Sequence, residues 1–584
     1  MTAPAHPPVS FLPLALLAVA FPFLIAGSAP PTSTYFNQVV AFGGCGVWLL
    51  VWALTARPSL AAQPASTSTK LLLLAGALLV AATLTSSAPW GQRLAPLACL
   101  VLAGALMHAT AAATRAGRLS DWVTPLMTAL LVAGLLSVVV GVVQVFRPEL
   151  ADGRLISFPT IAGRAIGNMR QPNQLSTLLL WAAAAAVWLA VRERQSLKVL
   201  AVVLGVLVFG VALTASRTGL VGVLLLALWG ALDRRLPKPV RWLLVAMLPL
   251  YALSWWGLEQ WLSAHGVMFY GEDQLKKTLH GDPSSSRGKI WANTWDMIAA
   301  HPWTGVGVGA YNFIWSMTPF PGRPVAFYDH SHNIVLQLAV ESGVPVAAVV
   351  LGCALAALWR ARAALTVADD DAARGARAAL FMLTMVGVHS LLEYPLWYVY
   401  FLLPAAVLAG WLTGLAPVRL DPPPQSRFAA ARRPVWCVTG AVALSGSLWS
   451  TVEYASVAVI FEPELSWAEP APLAERIARG QRSVLWGHHA DYASVTMAAK
   501  PEEVFSEFER PLYHLADTRL LMAYARALLA RGEIEKATHV AARLREFRNP
   551  LSTELFAACD KEGGTPFQCL PDPGLPAEAL RPSP

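Results

Sequence analysis

Residues 206–226 read VLVFGVALTASRTGLVGVLLL, in which two apolar runs meet at a short polar turn that contains Arg217. An α-helix needs about 20 predominantly apolar residues to cross a bilayer, and both runs extend outward toward that length. Comparable apolar runs, separated by short polar or basic turns, recur along the chain. The pattern predicts an all-α, polytopic membrane protein.

The composition supports the same fold class. The chain has 584 residues, of which 55% are hydrophobic and 14% charged, and its mean hydropathy is +0.50. Soluble domains usually carry about 25% charged residues. A water-soluble multidomain protein, a disordered chain and a disulfide scaffold are therefore excluded. The 22 Trp residues fit a protein with many membrane interfaces, where indole rings settle at headgroup depth.

We predict about thirteen membrane-spanning helices. The first apolar run follows no basic segment and is succeeded at once by a second run, so we interpret it as a span and not as a cleaved signal peptide. The eighth and eleventh runs are short. The predicted spans are 11–29, 36–56, 71–88, 94–112, 123–146, 174–191, 197–215, 218–232, 241–262, 334–359, 377–392, 396–416 and 435–460.

Lys and Arg in alternate loops predict the orientation. With the N-terminus inside, the inner loops hold 19 Lys and Arg, whereas the outer segments before residue 461 hold 11 that are spread over longer stretches. Cytoplasmic loops are the basic ones. This bias explains the net charge of +8 better than nucleic-acid binding does. We expect a multi-pass membrane protein with its N-terminus inside and its C-terminal tail outside.

Two domains are expected. Residues 1–460 form the membrane domain, with a long outer loop at 263–333, and residues 461–584 form a soluble helical domain. Apolar positions in residues 517–547 recur at helical spacing on either side of Arg531 and Gly532, which predicts a tetratricopeptide-like hairpin. Cys559 and Cys569 could pair if this tail lies in an oxidising compartment.

Two arginines at the outer side suggest an anion site. Ser216 is placed to cap the helix that follows it, so backbone N–H groups and Arg217 would face one point. Arg287 falls in the first turn of a second predicted helix, where a cation opposes the helix dipole and a bound anion would resolve the conflict. The alternatives are an Arg217 that snorkels to the interface and a solvated Arg287.

The helix that begins near Arg287 is predicted to be amphipathic. Ser284, Ser285 and Ser286 precede it as candidate N-caps. Such a helix would lie along the membrane surface. Its apolar face is predicted to contain Ile290, Trp291, Thr294, Trp295 and Ile298.

The segment FYDHSHNIVLQLAVESGVPVAAVV at 327–350 places Asp329, His330 and His332 just before an apolar span. Three interpretations are open. The three side chains could be metal ligands, although no further outer His or Cys cluster completes the set. They could form a hydrated interfacial cluster. A neutral imidazole, aimed inward with Asn333 at the helix start, could instead take a proton from a hydroxyl nucleophile.

Other polar residues gather at the same outer ends. GNMRQPNQLSTLLL at 167–180 opens the sixth span, and HSLLEYPLWYVYF at 389–401 forms the turn between the eleventh and twelfth. His389, one turn below Glu393, is either a functional intramembrane group or a structural histidine. Guanidinium groups bind phosphate oxygens bidentately, so a lipid-linked pyrophosphate would fit this face without nucleotide or metal. The polar residues at these ends include Arg170, Gln171, Asn173, Gln174, Glu393, Tyr394 and Tyr398.

Together these motifs resemble the O-antigen ligase and polymerase superfamily. The resemblance rests on SRTG at 216–219, SSSRGKIW at 284–291 and HSHNIVLQLAVESGVP at 330–345. The 167–180 motif and the soluble tail make the chain similar to pilin-type bacterial protein O-oligosaccharyltransferases. That resemblance implies a GT-C-type helical fold. It also implies transfer of a glycan from undecaprenyl pyrophosphate to a hydroxyl of a periplasmic protein such as a pilin, without metal or cofactor.

The resemblance also implies residue roles. Arg217 and Arg287 would hold the pyrophosphate, and His332 would activate or position the acceptor hydroxyl. The ligase pattern of His-Asn, nine residues and Gly-x-x-Gly is matched through Gly343, but its last glycine is Val346 here, which weakens assignment as a lipid A-core ligase. The expected substrate-binding residues are Arg170, Gln171, Asn173, Gln174, His330, Asn333 and Tyr394.

Three alternative functions stay open. The first is an O-antigen ligase acting on lipid A-core, or an O-antigen polymerase. The second is a transporter or flippase, but such proteins place ionisable groups near the midplane and use broken helices, whereas here the polar groups gather at one face. The third is a non-catalytic assembly protein with the hairpin tail as its binding module.

Overall fold

The computed structural model describes residues 10–56, 60, 63–271, 286–325, 327–416, 429–466, 469–560 and 566–582. Within these ranges the chain is helical, and extended pairing is limited to an isolated bridge between Ala29 and Thr32. The predicted all-α fold class is confirmed.

Each of the thirteen predicted spans coincides with a helix. By length and composition, eight of the described helices can cross a membrane, and four more are apolar but shorter. The protein is therefore a multi-pass membrane protein, while the count of about thirteen crossings stays a prediction. In chain order the helices of this part are α1 Leu12–Leu24, α2 Tyr35–Thr55, α3 Thr67–Leu84, α4 Trp90–Arg115, α5 Leu119–Phe146, α6 Pro172–Arg192, α7 Leu197–Leu213, α8 Arg217–Leu232, α9 Lys238–Ala264, α10 Arg287–Ala300, α11 Tyr311–Met317, α12 Ile334–Ala361, α13 Asp370–Ser390, α14 Val399–Leu415 and α15 Ala429–Phe461.

Helix α6 is the centre of the membrane domain. In its most apolar window, 94% of the residues are buried inside the protein, against 22–56% for the other seven long apolar helices. Its sequence is apolar all round, with five consecutive alanines at 182–186 that let neighbouring helices approach closely. Its N-terminal end carries Asn173 and Gln174, so these polar side chains are held among several other helices.

Helix α12 contains a break at Gly343, where φ is 79° and ψ is 155°. The break releases backbone groups that the loop 301–310 then satisfies. Val344 donates to the carbonyl of Pro302 at 2.8 Å, and Val306 donates to the carbonyl of Val340 at 2.8 Å. Pro345 has no N–H to offer to the carbonyl four residues earlier, that of Glu341. That carbonyl accepts from Gly307 at 3.0 Å instead.

We expect Gly343→Ala to destabilise the protein. A Cβ atom there would lie 2.3 Å from the carbonyl oxygen of Trp303, and the backbone conformation is one that only glycine adopts readily. The expected loss is about 1–3 kcal/mol of unfolding free energy. It would appear as a lower thermal midpoint of Trp fluorescence in detergent. Gly352→Ala is the matched control, because a Cβ at Gly352 in the same helix meets open space. Equal midpoints for the two variants would contradict the account.

The C-terminal part contains the predicted hairpin as two helices on either side of Arg531 and Gly532. Cys559 and Cys569 form a disulfide with Cα atoms 5.6 Å apart, so the pairing foreseen as possible is present. The helices of this part are α16 Leu473–Gly480, α17 Gly487–Met497, α18 Glu509–His514, α19 Thr518–Ala530, α20 Ile534–Phe547 and α21 Thr553–Phe556.

The hairpin and the segment that contains α11 share one buried apolar cluster, which includes Trp315 and Phe547. Polar contacts reinforce the packing. Ala516 donates to the side-chain oxygen of Asn312 at 2.7 Å. Arg323, only 1% exposed, pairs with Glu546 at 2.9 Å. The tail is therefore packed firmly on the loop 311–328, which continues directly into the DHSH segment.

Candidate functional site

A single carboxylate joins two of the three residues to which the sequence assigned chemistry. Glu393 lies between α13 and the 3₁₀ turn Pro395–Trp397. Its Oε1 accepts a hydrogen bond from Nη2 of Arg287, whose Nε donates to the carbonyl of Leu392 at 2.9 Å. Its Oε2 lies 2.6 Å from Nδ1 of His332. The side chains of Glu393, His332 and Arg287 are 13%, 16% and 19% exposed, so all three are largely shielded from water.

Two backbone positions at the partners of Glu393, one next to Arg287 and one at His332 itself, have an uncommon conformation. Ser286 and His332 have φ angles of 68° and 55°, a region that non-glycine residues rarely adopt. Asn333 fixes the second position by capping α12, since its side-chain oxygen accepts from Val335 at 3.0 Å and from Leu336 at 3.2 Å. Strain of this kind is retained where the surrounding contacts over-determine it, as they do here.

Of the three serines before α10, Ser286 does not cap the helix as predicted. Ser286 makes no side-chain cap hydrogen bond to the helix because its backbone is left-handed. Ser284 and Ser285 lie outside the described residues. Of the predicted apolar face of α10, Ile290, Thr294 and Ile298 are buried in the protein, whereas Trp295 is 64% exposed. The buried face also includes Met297.

Arg217 is connected to the same site through its neighbour. Ser216 caps α8 as predicted, because its hydroxyl accepts from Gly219 at 3.0 Å. That hydroxyl also donates to the side-chain oxygen of Asn173 at 2.6 Å. Asn173 in turn donates to Oε1 of Glu393 at 3.4 Å. A chain of hydrogen bonds thus runs from the N-terminus of α8 across the end of α6 to the carboxylate.

The guanidinium of Arg217 is exposed and has a second arginine near it. Arg164, in the loop before α6, donates to the carbonyl of Thr214 at 2.9 Å and stacks on the ring of Tyr270. Desolvation and the nearby charge of Arg217 lower the pKa of Arg164. Two cations held this close favour an anion between them. Sequence analysis assigned Arg164 no role, and nothing in the neighbouring sequence indicated its proximity to Arg217.

The other polar residues at the start of α6 form hydrogen bonds with this helix end and with neighbouring segments. Gln171 caps the helix by accepting from the backbone of Gln174 at 2.8 Å. The side-chain oxygen of Gln174 accepts from the hydroxyl of Tyr400 at 2.7 Å. Arg170 donates to the carbonyls of Ala26 and Ser33, so it ties the loop before α2 to this end of the helix.

His330 and His332 turn to different carboxylates, with Tyr394 between them. The ring of Tyr394 stacks on His330 at 4.3 Å and meets the edge of His332 at 5.1 Å. Nδ1 of His330 lies 3.0 Å from Asp329. Burial would lower the pKa of His330, but the carboxylate of Asp329 outweighs it and the pKa is raised. The arrangement favours two separate acid–imidazole pairs over one shared metal centre.

The direction of the hydrogen bond between Glu393 and His332 follows from the charge on Glu393. Burial would raise the pKa of Glu393, but the hydrogen bond and charge of His332, and then the charge of Arg287, lower it. Glu393 is therefore ionised near pH 7 and accepts the Nδ1–H of His332; in the neutral form of that imidazole the lone pair lies on Nε2. An imidazole held this way can accept a proton at Nε2.

Glu393→Gln tests this pairing through its pH dependence. Because the pKa of Glu393 is lowered from its ordinary 4.5, the charged group stabilises the fold above that pH. The stabilisation is lost as the pH falls through the lowered value. We expect the variant to be less stable at pH 7 by about 3 kcal/mol, and the difference from wild type to shrink below pH 4.5. Thermal unfolding across this pH range measures it.

Glu149→Gln is the control, because Glu149 is 60% exposed and lies 3.6 Å from Arg147. An exposed pair of this kind contributes about 0–1 kcal/mol. The assignment fails if Glu393→Gln is no more destabilising than this control at pH 7, or if its effect is unchanged in acid.

Sequence analysis identified Glu393 as a polar residue at the end of a span but assigned it no role. It was visible as an acidic residue at an outer turn, yet its partners lie 61 and 106 residues away along the chain. No local spacing rule reports such a pairing. His389 was left open, and it lies buried with Nδ1 2.9 Å from the hydroxyl of Thr177.

The fold and site define a class: a helical membrane protein whose span ends hold an imidazole, a carboxylate and several guanidinium groups. Three family models match this chain. "O-Antigen ligase" covers 200–351, "Virulence factor membrane-bound polymerase, C-terminal" covers 377–549, and "Protein glycosylation ligase" covers 165–190. The chain is therefore similar to these families over the matched residues, which confirms the predicted resemblance.

Two proteins of Acinetobacter baylyi are similar to the chain. A "General O-oligosaccharyltransferase" is 24% identical over 396 residues, which is 64% of this chain and 64% of that protein. A "ComP-specific O-oligosaccharyltransferase" is 26% identical over 277 residues, which is 45% of this chain and 47% of that protein. The chain thus spans less than two thirds of the length of either relative.

Proposed function

We propose that the protein transfers an oligosaccharide from undecaprenyl pyrophosphate to Ser or Thr hydroxyls of proteins, pilin-type proteins among them. The observation that carries the proposal is the shared carboxylate of Glu393, which orients the imidazole of His332 beside the guanidinium of Arg287. A base and an anion-binding group at one point are what glycosyl transfer from a pyrophosphate requires. The two O-oligosaccharyltransferase relatives support the same reaction class.

The proposed reaction is a single in-line displacement. The acceptor hydroxyl oxygen forms a bond to the anomeric carbon as the bond from that carbon to the pyrophosphate oxygen breaks. The electron pair of the broken bond leaves with the lipid pyrophosphate. The hydroxyl proton moves to Nε2 of His332, and Glu393 stabilises the imidazolium that results.

In this proposal, the arginines stabilise the pyrophosphate leaving group. Negative charge grows on the pyrophosphate as it departs, and preorganised cations in a shielded site stabilise such charge strongly. Arg287 keeps its orientation through Glu393 and Leu392, so an anion does not have to order it. Arg217, with Arg164 beside it, would bind the same group from the end of α8.

The proposal also specifies the side of the membrane on which the site lies. The predicted inner loops are the basic ones, and this bias supports a cytoplasmic N-terminus and a site at the periplasmic face of the inner membrane. The tail that packs on the loop 311–328 would then be periplasmic, and the disulfide between Cys559 and Cys569 fits an oxidising compartment. Substrates would meet the site from the outer leaflet and from the periplasm.

Replacing the reacting groups singly tests the chemistry. We expect His332→Ala to slow glycan transfer from a lipid-linked donor by about 10²–10⁴-fold, the usual worth of a positioned base. Arg217→Ala and Arg287→Ala should each slow it by about 10²–10³-fold, because each removes stabilisation of the leaving charge. The measurement is single-turnover transfer by purified protein onto a candidate pilin.

Arg147→Ala is the matched control, since this guanidinium is 73% exposed and is paired only with Glu149 at 3.6 Å among the ion pairs of the described residues. It should retain wild-type rates. Full activity of His332→Ala would remove the base assignment. Thermal unfolding of each variant separates a lost catalytic group from a lost fold.

The acceptor class needs a separate experiment, because matched families include an O-antigen ligase. Deletion of the gene should abolish protein glycosylation and leave lipopolysaccharide normal, since Val346 departs from the ligase pattern. Glycoprotein staining and lipopolysaccharide gels of the same strain measure both products. Lipopolysaccharide that loses its O-antigen, with unchanged glycoproteins, would favour a lipid A-core acceptor instead.

A further inference from the structure

Three histidines of the C-terminal part meet at one point, away from the candidate active site. His488 and His489 lie in the first turn of α17, and His514 ends α18. One ligand atom from each ring lies within 4.8 Å of the other two. Their ring centroids are 4.1, 4.4 and 4.8 Å apart. Among the residues that the structure describes, these three form a group with the geometry to hold a metal ion.

The burial of two of these rings is hard to explain without a ligand. His488 and His489 are 6% and 8% exposed. Within the described part of the chain, the Nε2 atom of each is buried and has no hydrogen-bond partner. A buried polar atom without a partner is destabilising by about 1–3 kcal/mol. Two such nitrogens close to one another indicate that something supplies the missing interaction.

The charge state of the rings suits a metal. Desolvation, followed by the neighbouring histidines, lowers the pKa of His488 and of His489 well below the ordinary value. Both rings are therefore neutral at physiological pH, the form in which imidazole binds metals.

The positive charge of Arg510, near the histidine cluster, does not oppose the binding of a metal ion. Arg510 lies close enough to His488 to contribute to the lowering of its pKa. Its guanidinium, however, is paired with both carboxylate oxygens of Asp491, through Nη2 at 2.8 Å and through Nε. The charge that an incoming ion would meet is thus already neutralised.

We propose that His488, His489 and His514 bind a divalent transition metal ion of the zinc class, with water as the fourth ligand. Three imidazole nitrogens and an open position are a common zinc donor set. Tetrahedral coordination would bring the nitrogens to about 3.3 Å from one another, so the rings must close on the ion by small side-chain rotations. His514 is exposed and gives the ion a route into the site.

The proposed ion would fasten α17 to α18 beside the loop that carries the candidate active site. Desolvation lowers the pKa of His514, and the carboxylate of Asp329 is near enough to oppose that shift. Asp329 is also the partner of His330. A bound dication would therefore add positive charge within electrostatic range of the DHSH segment. The metal proposal is independent of the proposed function, because no residue of the histidine cluster belongs to the proposed reaction.

Zinc binding by tag-free, full-length protein in detergent tests the proposal. After removal of metals with a chelator, titration with Zn²⁺ against a chromophoric competitor should show one tightly bound equivalent. His514→Ala and His489→Gln should each weaken this binding at least about 10-fold. Co²⁺ in place of Zn²⁺ should give the visible absorption of a tetrahedral nitrogen site in the wild-type protein.

His265→Ala is the matched control, since His265 is exposed and lies at the end of α9 outside the cluster. It should bind Zn²⁺ as the wild type does. Zn²⁺ should also raise the thermal midpoint of wild type and His265→Ala, but not that of His514→Ala. The metal-free midpoint of His514→Ala shows whether that variant is folded.

The site is refuted if wild-type protein binds no equivalent and shows no Co²⁺ spectrum. It is equally refuted if folded His514→Ala binds as tightly as wild type, or if His265→Ala loses binding to the same extent. These outcomes leave the glycan-transfer proposal untouched, since that is measured on different residues.

Discussion

The carboxylate of Glu393 is the interaction on which the candidate site depends. A charge at the edge of a membrane domain is unfavourable unless it is paired, and Glu393 is only 13% exposed. It meets this constraint by holding Arg287 and His332 on its two oxygens and by accepting from Asn173. Removing any one partner would leave the others incompletely satisfied. Because the shielded charge of Glu393 must be paired, it fixes the relative positions of side chains that come from four separate segments.

Those segments are themselves held by features of the fold far from any chemistry. The burial of α6 places Asn173 where Glu393 can reach it. The break at Gly343 locks the loop 301–310 onto α12. The tail then packs on 311–328 and thereby supports the short connection to His330 and His332. A site of loops and helix ends is rigid here because each loop is covered by a second element.

The sequence predicted what depends on local pattern. Apolar run length located the helices, serine spacing located the cap at Ser216, and helical periodicity located the hairpin around Gly532. It could not predict that His332 and Arg287 share Glu393, because those contacts span 61 and 106 residues. It also did not predict that Asn293 and Met297 belong to the buried face of α10, because that face is set by tertiary packing. The histidine cluster at His488 was invisible because His514 joins it from a different helix.

Sharing one carboxylate between a cation and an imidazole also has a mechanistic consequence under the proposed function. A pyrophosphate that binds Arg287 competes with Glu393 for the same guanidinium. As Arg287, which stays in place through Glu393 and Leu392, shares its charge with the donor, Glu393 loses part of its neutralising charge and becomes a stronger hydrogen-bond acceptor for the Nδ1 proton of His332. The imidazolium that forms during transfer is then better stabilised when the donor is present than when it is absent. Binding of the lipid pyrophosphate would therefore prepare the base, and an acceptor hydroxyl that arrived alone would meet a less effective one.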